Sequence, residues 1–357
     1  MSSIFGLAGL SASDYQFARA ADQRLIYDAI QTYMARVNAD MMQVASVFIQ
    51  ETTQVAKERY QLPGSGRLSP RADGVRGPAS RAYGYWDVAY PLSDFGEQIA
   101  ETDVEFAYMK PADLDRNIQT IVSKYQEEMR WQILHALMDN VQETFTDPKL
   151  GSLTIEHLAN GDTVLYPPVL GTYTEAIENH YLESGYASAS ISDTNNPVYT
   201  LVNELEEHFG AMTGNSNIVV FHNNAETAKL QDLTDFIEVP DNFVMVGDNA
   251  DVPTRLPSVP GRVIGRANGA WLAEWRWMPA NYMLAIHLEQ PAPLKMRVDP
   301  SETGLPQGLA LVSRDAQYPL VSSEWRARFG VAVGNRLNGA VMELGTGGTY
   351  TVPTAYT

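Results

Sequence analysis

Apolar residues recur at Leu114, Ile118, Ile121, Val122, Tyr125, Met129, Ile133, Leu137 and Val141. Steps of three and four place them on one stripe of an α-helix. Arg116, Gln119, Lys124, Glu127, Glu128 and Arg130 fall on the other face. Pro111 suits a first helical turn, and Asp113 and Asp115 suit the positive end of the helix dipole. The pattern predicts an uninterrupted helix over 111–140, about 45 Å long. A rod this long with a single apolar stripe needs a sheet to lie on.

Residues 1–20 show little periodicity and read as an extended arm. Leu25, Ile26, Ala29, Ile30, Tyr33, Met34 and Val37, then Met41, Val44, Ala45 and Phe48, predict two amphipathic helices with a break near Asn38. Between 58 and 82, Pro63, Gly64, Gly66, Pro70, Gly74, Gly77 and Pro78 exclude a long helix. Over 83–109 the text is strand-like, with Val104, Phe106 and Tyr108 alternating just before the long helix. Beyond that helix come short strands and loops, then a predicted helix over 173–183. A second helix opens at Asn196-Pro197, with Val198, Leu201, Val202, Leu205 and Phe209 on its face. A buried strand is predicted at 218–221, a short helix near Ala225 capped by Asn223 or Asn224, and a strand at 243–246. From 261 onward the predicted strands are 262–265, 270–277, 283–288, 294–298 and 309–312. A last pair, 325–333 and 337–344, is joined through Gly334-Asn335-Arg336. The fold class is α+β, with an α/β portion in the middle of the chain.

Composition narrows the function. A chain of 357 residues, 45% hydrophobic and 19% charged, can fill two or three cores. No apolar run approaches a membrane span, and the first residues lack the basic region of a secretory signal, which predicts a cytoplasmic place of synthesis. Cysteine is absent, which excludes disulfides and thiolate metal sites. The formal charge of -18 argues against gripping nucleic-acid phosphates over a large surface, though not against enclosing them. Against that background, Lys57, Arg59, Arg67, Arg71, Arg76 and Arg81 give the stretch 57–81 a net charge of +4. A basic, loop-rich segment of that length reads as a disordered surface loop, as an anion site or, more sharply, as an extended hairpin that lies across acidic neighbouring subunits.

Few residues suggest catalysis. Six histidines are present, none in a His-Glu-x-x-His arrangement. Glu204 and His208, four apart on one helix, could supply two metal ligands, but a solvated acidic face explains them more cheaply. His135 and His287 read as structural. No phosphate-binding loop of the Walker type and no Gly-x-Ser-x-Gly elbow occurs.

The Gly/Arg-rich segment 57–90, the helix 111–140, the stretch Trp275-Arg276-Trp277-Met278-Pro279-Ala280-Asn281-Tyr282 and the terminal Ser322-Ser323-Glu324-Trp325-Arg326-Ala327-Arg328-Phe329-Gly330-Val331-Ala332-Val333 come in a definite order. That order resembles the major capsid proteins of tailed bacteriophages, the Hong Kong 97 fold. The resemblance implies an N-arm with N-terminal helices over 1–50 and an extended E-loop hairpin over 51–100. It implies a P-domain over 101–160 with its spine helix, an A-domain over 161–320, P-domain return strands over 321–345, and a C-terminal tail over 346–357. It further implies self-assembly through hexamers and pentamers into an icosahedral shell that encloses double-stranded DNA. The expected partners are copies of the chain, with separate scaffolding, portal and decoration proteins. The expected place is the virion, assembled in the host cytoplasm, with no membrane, cofactor, metal or catalytic residues. Arg59, Arg67, Arg71, Arg76 and Arg81 are the expected inter-subunit contacts.

In two respects the chain departs from relatives of that kind. Some carry a scaffolding segment before the N-arm; here the arm starts near Met1, implying a separate scaffold or none. Some crosslink an E-loop Lys to a P-domain Asn. Here only Lys57 lies near the hairpin base, and Asn335 and Asn338 lie in the return, so no crosslink is expected. The alternatives are an encapsulin-type compartment shell around protein cargo, and an unclassified metal-dependent enzyme using Glu204 and His208.

Overall fold

The computed structural model describes residues 23–61, 68, 70, 71, 73, 84–172, 174–209, 217–239, 259–317 and 320–357. The predicted arm over 1–20 and strand over 243–246 lie outside them. In chain order the elements begin with α1 (Gln23–Ala45), β1 (Ile49–Thr53), β2 (Lys57–Gln61), β3 (Tyr85–Ala89) and β4 (Ser93–Thr102). Next come α2 (Asp103–Tyr108), α3 (Pro111–Met138), β5 (Glu143–Asp147), β6 (Gly151–Ile155) and β7 (Tyr181–Glu183). The middle holds α4 (Pro197–Phe209), β8 (Ile218–His222), α5 (Thr227–Gln231) and β9 (Ile237–Glu238). The chain finishes with β10 (Arg262–Ala267), β11 (Ala270–Glu274), β12 (Tyr282–His287), β13 (Leu294–Arg297), β14 (Ala310–Gln317), β15 (Leu320–Val333) and β16 (Ala340–Glu343).

The long helix α3 forms as its stripe requires. Ile118, Ile121, Val122, Tyr125, Met129, Ile133 and Leu137 are buried, joined by Leu134 and Met138. Pro111 sits in its first turn, and the Asp113 carboxylate accepts a hydrogen bond from the Lys110 amide at 3.2 Å. It lies on the sheet built around β15, where the edge of the Tyr125 ring meets Phe329 and Phe329 meets Phe95 of β4. Val141, past the helix end, is exposed. The polar face is partly covered: the Trp131 indole donates to the Ala355 carbonyl at 3.0 Å, and Nδ1 of His135 lies 2.7 Å from the Tyr356 carbonyl.

Two main sheets share the core. In the five-stranded sheet, β1 pairs parallel with β13, and β13 pairs antiparallel with the end of β15. The first part of β15 runs between β14 and β4. The seven-stranded mixed sheet runs β7-β16-β12-β8-β11-β10-β9. Strand β8 is buried on both faces, which is why 218–221 reads as an unbroken apolar run. Its residues alternate: Val219 and Phe221 face the large core shared with α1 and α3, whereas Ile218 and Val220 face a second core under α4.

Four sequence expectations need correction. α1 is one helix, not two. Asn38 stays helical because its side chain makes two hydrogen bonds of 3.1 Å with the Leu309 backbone, an anchor no local pattern contains. The alternation at 104–108 is a helix, α2. Thr102 and Glu105 cap it reciprocally, Thr102 N donating to the Glu105 carboxylate at 3.0 Å and Glu105 N donating to Thr102 Oγ1 at 3.2 Å. No helix forms over the described part of 173–183. Ala176 and Asn179 bridge Tyr166 and Asn160, and Tyr181–Glu183 pairs with β16. Finally, the strand containing 325–333 and the strand near 337–344 do not pair. β15 belongs to the five-stranded sheet and β16 to the seven-stranded one, and 334–339 carries the chain between them.

Candidate assembly surface at the hairpin base

The basic segment leaves and rejoins the body through β2 and β3, an antiparallel pair in which Arg59 stands opposite Asp87. Their side chains form a two-pronged ion pair, Nε to Oδ1 at 2.7 Å and Nη2 to Oδ2 at 2.9 Å. The Lys57 ammonium reaches the same carboxylate at 2.7 Å. The hydrogen bond from Arg59 and the charge of Lys57 hold the Asp87 carboxyl well below the usual carboxylate range. The Arg59 guanidinium lies 4.0 Å from the Tyr85 ring centroid, and Tyr60 stacks on Trp86 at 5.5 Å.

Beneath the pair, Lys295 of β13 reaches Glu51 at 2.6 Å and Glu58 at 2.9 Å. The Tyr60 hydroxyl donates to Glu58 at 2.9 Å and lies 2.8 Å from the Tyr90 hydroxyl. Burial works to raise the Glu58 pKa, but the bonds from Lys295 and Tyr60 outweigh it and hold the carboxyl below its ordinary value of 4.5. Burial also pushes the Tyr90 hydroxyl up, so it stays protonated. Val88, Tyr90 and Ala332 seal the underside as a small core. A protein with Glu58 depressed is favoured above its ordinary pKa and loses that contribution as pH falls through the folded value. Wild type should therefore exceed Glu58→Gln in thermal midpoint at about pH 7, with the gap narrowing as the pH falls below the ordinary carboxylate value. A gap that stays constant across that range would contradict the assignment.

The five predicted arginines divide. Arg59 is the strand residue paired with Asp87, and Arg71 is exposed. Arg67, Arg76 and Arg81 lie outside the described residues. The residues that tie the hairpin to the body, Glu58, Asp87, Tyr90 and Lys295, were not singled out from sequence. The one available signal was Lys57-Glu58-Arg59, charges alternating across a strand. Of the asparagines, Asn338 is fully buried, donating to the His287 and Pro291 carbonyls at 3.0 and 2.9 Å. Asn335 donates to Pro291 O at 2.9 Å.

Glu204 and His208, weighed above as a pair of ligands, do not come together. His208, at the end of α4, is not grouped with Glu204. Its Nε2 lies 3.6 Å from Glu207 and 4.0 Å from Glu178, and one ligand atom from each of His180, Glu207 and His208 falls within 4.8 Å of the others. Glu204 stands close enough to feel them: burial, then the Glu207 and Glu178 charges, push its carboxyl up to about 7. Among the described residues, no helix is long and apolar enough to cross a membrane.

No protein-family model matches the sequence, and no curated protein does either. Solved structures do match. A chain of Mycobacterium phage Patience superposes with a TM-score of 0.70 at 18% identity, over 95% of this chain and 93% of that one. A chain from the asymmetric unit of the bacteriophage PhiM1 mature capsid gives 0.50 at 9% identity, over 82% and 85%. That likeness shows the fold: a long helix on a sheet whose central strand comes from the far end of the chain, with a second, mixed sheet beside it, is the Hong Kong 97-type fold.

Proposed function

We propose that the chain is a tailed-phage major capsid protein, a structural and non-enzymatic subunit that assembles through hexamers and pentamers into an icosahedral shell around double-stranded DNA. The observation that carries this reading is the likeness to the Mycobacterium phage Patience structure over nearly the whole length of both chains. On this reading α3, β4 and β15 form the P-domain, and the seven-stranded sheet with α4 and α5 forms the A-domain, which β16 joins. The β2–β3 hairpin is the root of the E-loop. The net charge of -18 fits a container whose wall does not hold the genome tightly. Scaffolding, portal and decoration proteins are the further partners it implies. Both structures compared above come from phages, which favours this reading over the compartment-shell and enzyme alternatives.

Electron microscopy of the purified protein tests this directly. Uniform icosahedral shells are expected; a chain that stays monomeric under every assembly condition would refute it. The basic hairpin supplies a finer prediction. Replacing Arg67, Arg71, Arg76 and Arg81 with Ser should cut shell yield severely. Each exposed ion pair is worth only roughly 0–1 kcal/mol, but symmetry repeats it at every subunit. The unfolding midpoint of the dissociated chain should not move. Arg59 is left out because it already holds Asp87 within the chain. Undiminished shell yield from the fourfold variant would overturn the hairpin's role.

A further inference from the structure

At the end of α4 two buried imidazoles stand beside two partly exposed carboxylates. His180, just before β7, is fully buried. Its Nδ1 lies 2.8 Å from the Gly339 carbonyl and donates to it, which fixes the tautomer and leaves a lone pair on Nε2. That Nε2 is buried and has no hydrogen-bond partner. The His208 side chain is 1% exposed; the Pro167 and Pro168 carbonyls lie beside its ring, and its Nε2 has no hydrogen-bond partner. The two rings lie nearly parallel, with centroids 6.3 Å apart. Glu207 and Glu178 face His208 Nε2 at 3.6 and 4.0 Å.

An unpaired buried imidazole nitrogen costs free energy, and here two histidines supply such atoms beside two carboxylates. Arg336 is close to His180, but its guanidinium is held by Asp162 at 2.5 Å. A cation with affinity for both nitrogen and oxygen would satisfy every one of these groups together. The other close cluster, His135 with Asp139 and Glu143, differs in that both ring nitrogens of His135 have partners, Nδ1 the Tyr356 carbonyl at 2.7 Å and Nε2 the Glu143 carboxylate at 3.4 Å.

We propose that His180, His208 and Glu207, with Glu178 as fourth ligand, bind one divalent transition-metal ion of the zinc class. Two imidazoles and two carboxylates are a donor set suited to tetrahedral Zn²⁺, whereas Ca²⁺ and Mg²⁺ favour oxygen alone. The ion closes the site on all four sides and is structural. It pins the last turn of α4 to the segment leading into β7, and through Gly339 to the crossing between the sheets.

The test uses the full chain, stripped with a chelator and dialysed, then titrated with Zn²⁺ alone. One ion per chain is expected by elemental analysis, with a rise in thermal midpoint on binding. Co²⁺ in its place should give the visible absorption of a tetrahedral site. His180→Gln should weaken Zn²⁺ affinity by about 100-fold or more. Glu207→Gln, at a partly exposed position that does not threaten folding, should weaken it in the same direction and abolish the Co²⁺ spectrum. A folded wild-type chain that retains no Zn²⁺ would overturn the proposal. So would Zn²⁺ binding that is unaltered in Glu207→Gln, or Ca²⁺ binding as tightly as Zn²⁺.

Discussion

Gly330→Ala should damage this chain severely, costing about 3 kcal/mol or more in the unfolding free energy. Gly330 lies in β15 just past Phe329, the last residue paired with β4, and is itself paired with Arg297 of β13. At that handover the Pro91 backbone comes up against the strand. A Cβ on Gly330 would overlap the Pro91 carbonyl oxygen and stand 2.7 Å from its carbon. Both obstacles are main chain, so no rotamer change relieves them. Pro91 links β3 to β4, so the displacement would travel to the hairpin root, where Arg297 also donates to the Tyr90 carbonyl at 2.9 Å. Gly96→Ala is the control. It lies in β4 on the same sheet, and its new Cβ would meet only the Trp325 carbonyl, at 3.4 Å. That variant should stay within about 0.5 kcal/mol of wild type, since a strand glycine gains from losing unfolded-state freedom. Urea unfolding of the dissociated chains measures both. Equal midpoints for the two variants would refute the clash.

Much of this architecture could be read from local pattern, because its longest elements bury one face. The stripe on α3 and the alternation Ala327, Phe329, Val331, Val333 in β15 needed only period 3.6 and period 2. The order of parts, with a Gly/Arg-rich hairpin before a long helix, was enough to suggest the capsid fold. The losses occurred where a distant partner decides. Nothing around Asn38 announces Leu309, and nothing around 176–183 announces Tyr166 or β16. The α2 start was legible as Thr102-Asp103-Val104-Glu105, a capping box, yet the alternation beside it reads as strand; a short helix satisfies both when its caps are good. Trp325–Val333 and the strand after it look like a hairpin because 334–336 resembles a turn. The chain instead uses that turn to change sheets, and groups far away, the His157 and Pro291 carbonyls and the Asp162 carboxylate, fix the change. The Glu204–His208 spacing named one histidine of the cluster at the end of α4 but not its neighbours, since Glu207 is adjacent to His208 and His180 comes from another part of the chain.

Arg336 governs that change of sheets, and Arg336→Ala should cost about 3–5 kcal/mol. The residue is 1% exposed, rare for an arginine and tolerable only with partners. Its Nε donates to the His157 carbonyl at 2.8 Å, and its Nη2 reaches the Leu158 carbonyl at 3.2 Å and Asp162 at 2.5 Å. The guanidinium also lies 5.5 Å from the Tyr166 ring centroid, while the Arg336 carbonyl accepts from Ala159 N at 3.2 Å. One side chain thus ties the 334–339 crossing to 157–162, and the same crossing supplies the Gly339 carbonyl to His180. Removing it opens a cavity, orphans two carbonyls and leaves Asp162 without its cation. Arg336→Met separates these effects. It restores most of the volume but none of the donors, so a loss remaining near that of alanine assigns the cost to the polar network. Arg336→Lys should be intermediate, because a point charge cannot span two carbonyls and a carboxylate as the planar fork does. A double-mutant cycle with Asp162→Ala should return a coupling of about 1–3 kcal/mol. Urea midpoints of the dissociated chain again provide the measurement. A loss below about 1 kcal/mol for Arg336→Ala would mean that the crossing is held by Asn338 and its bonds to His287 and Pro291, and that the buried cation is dispensable.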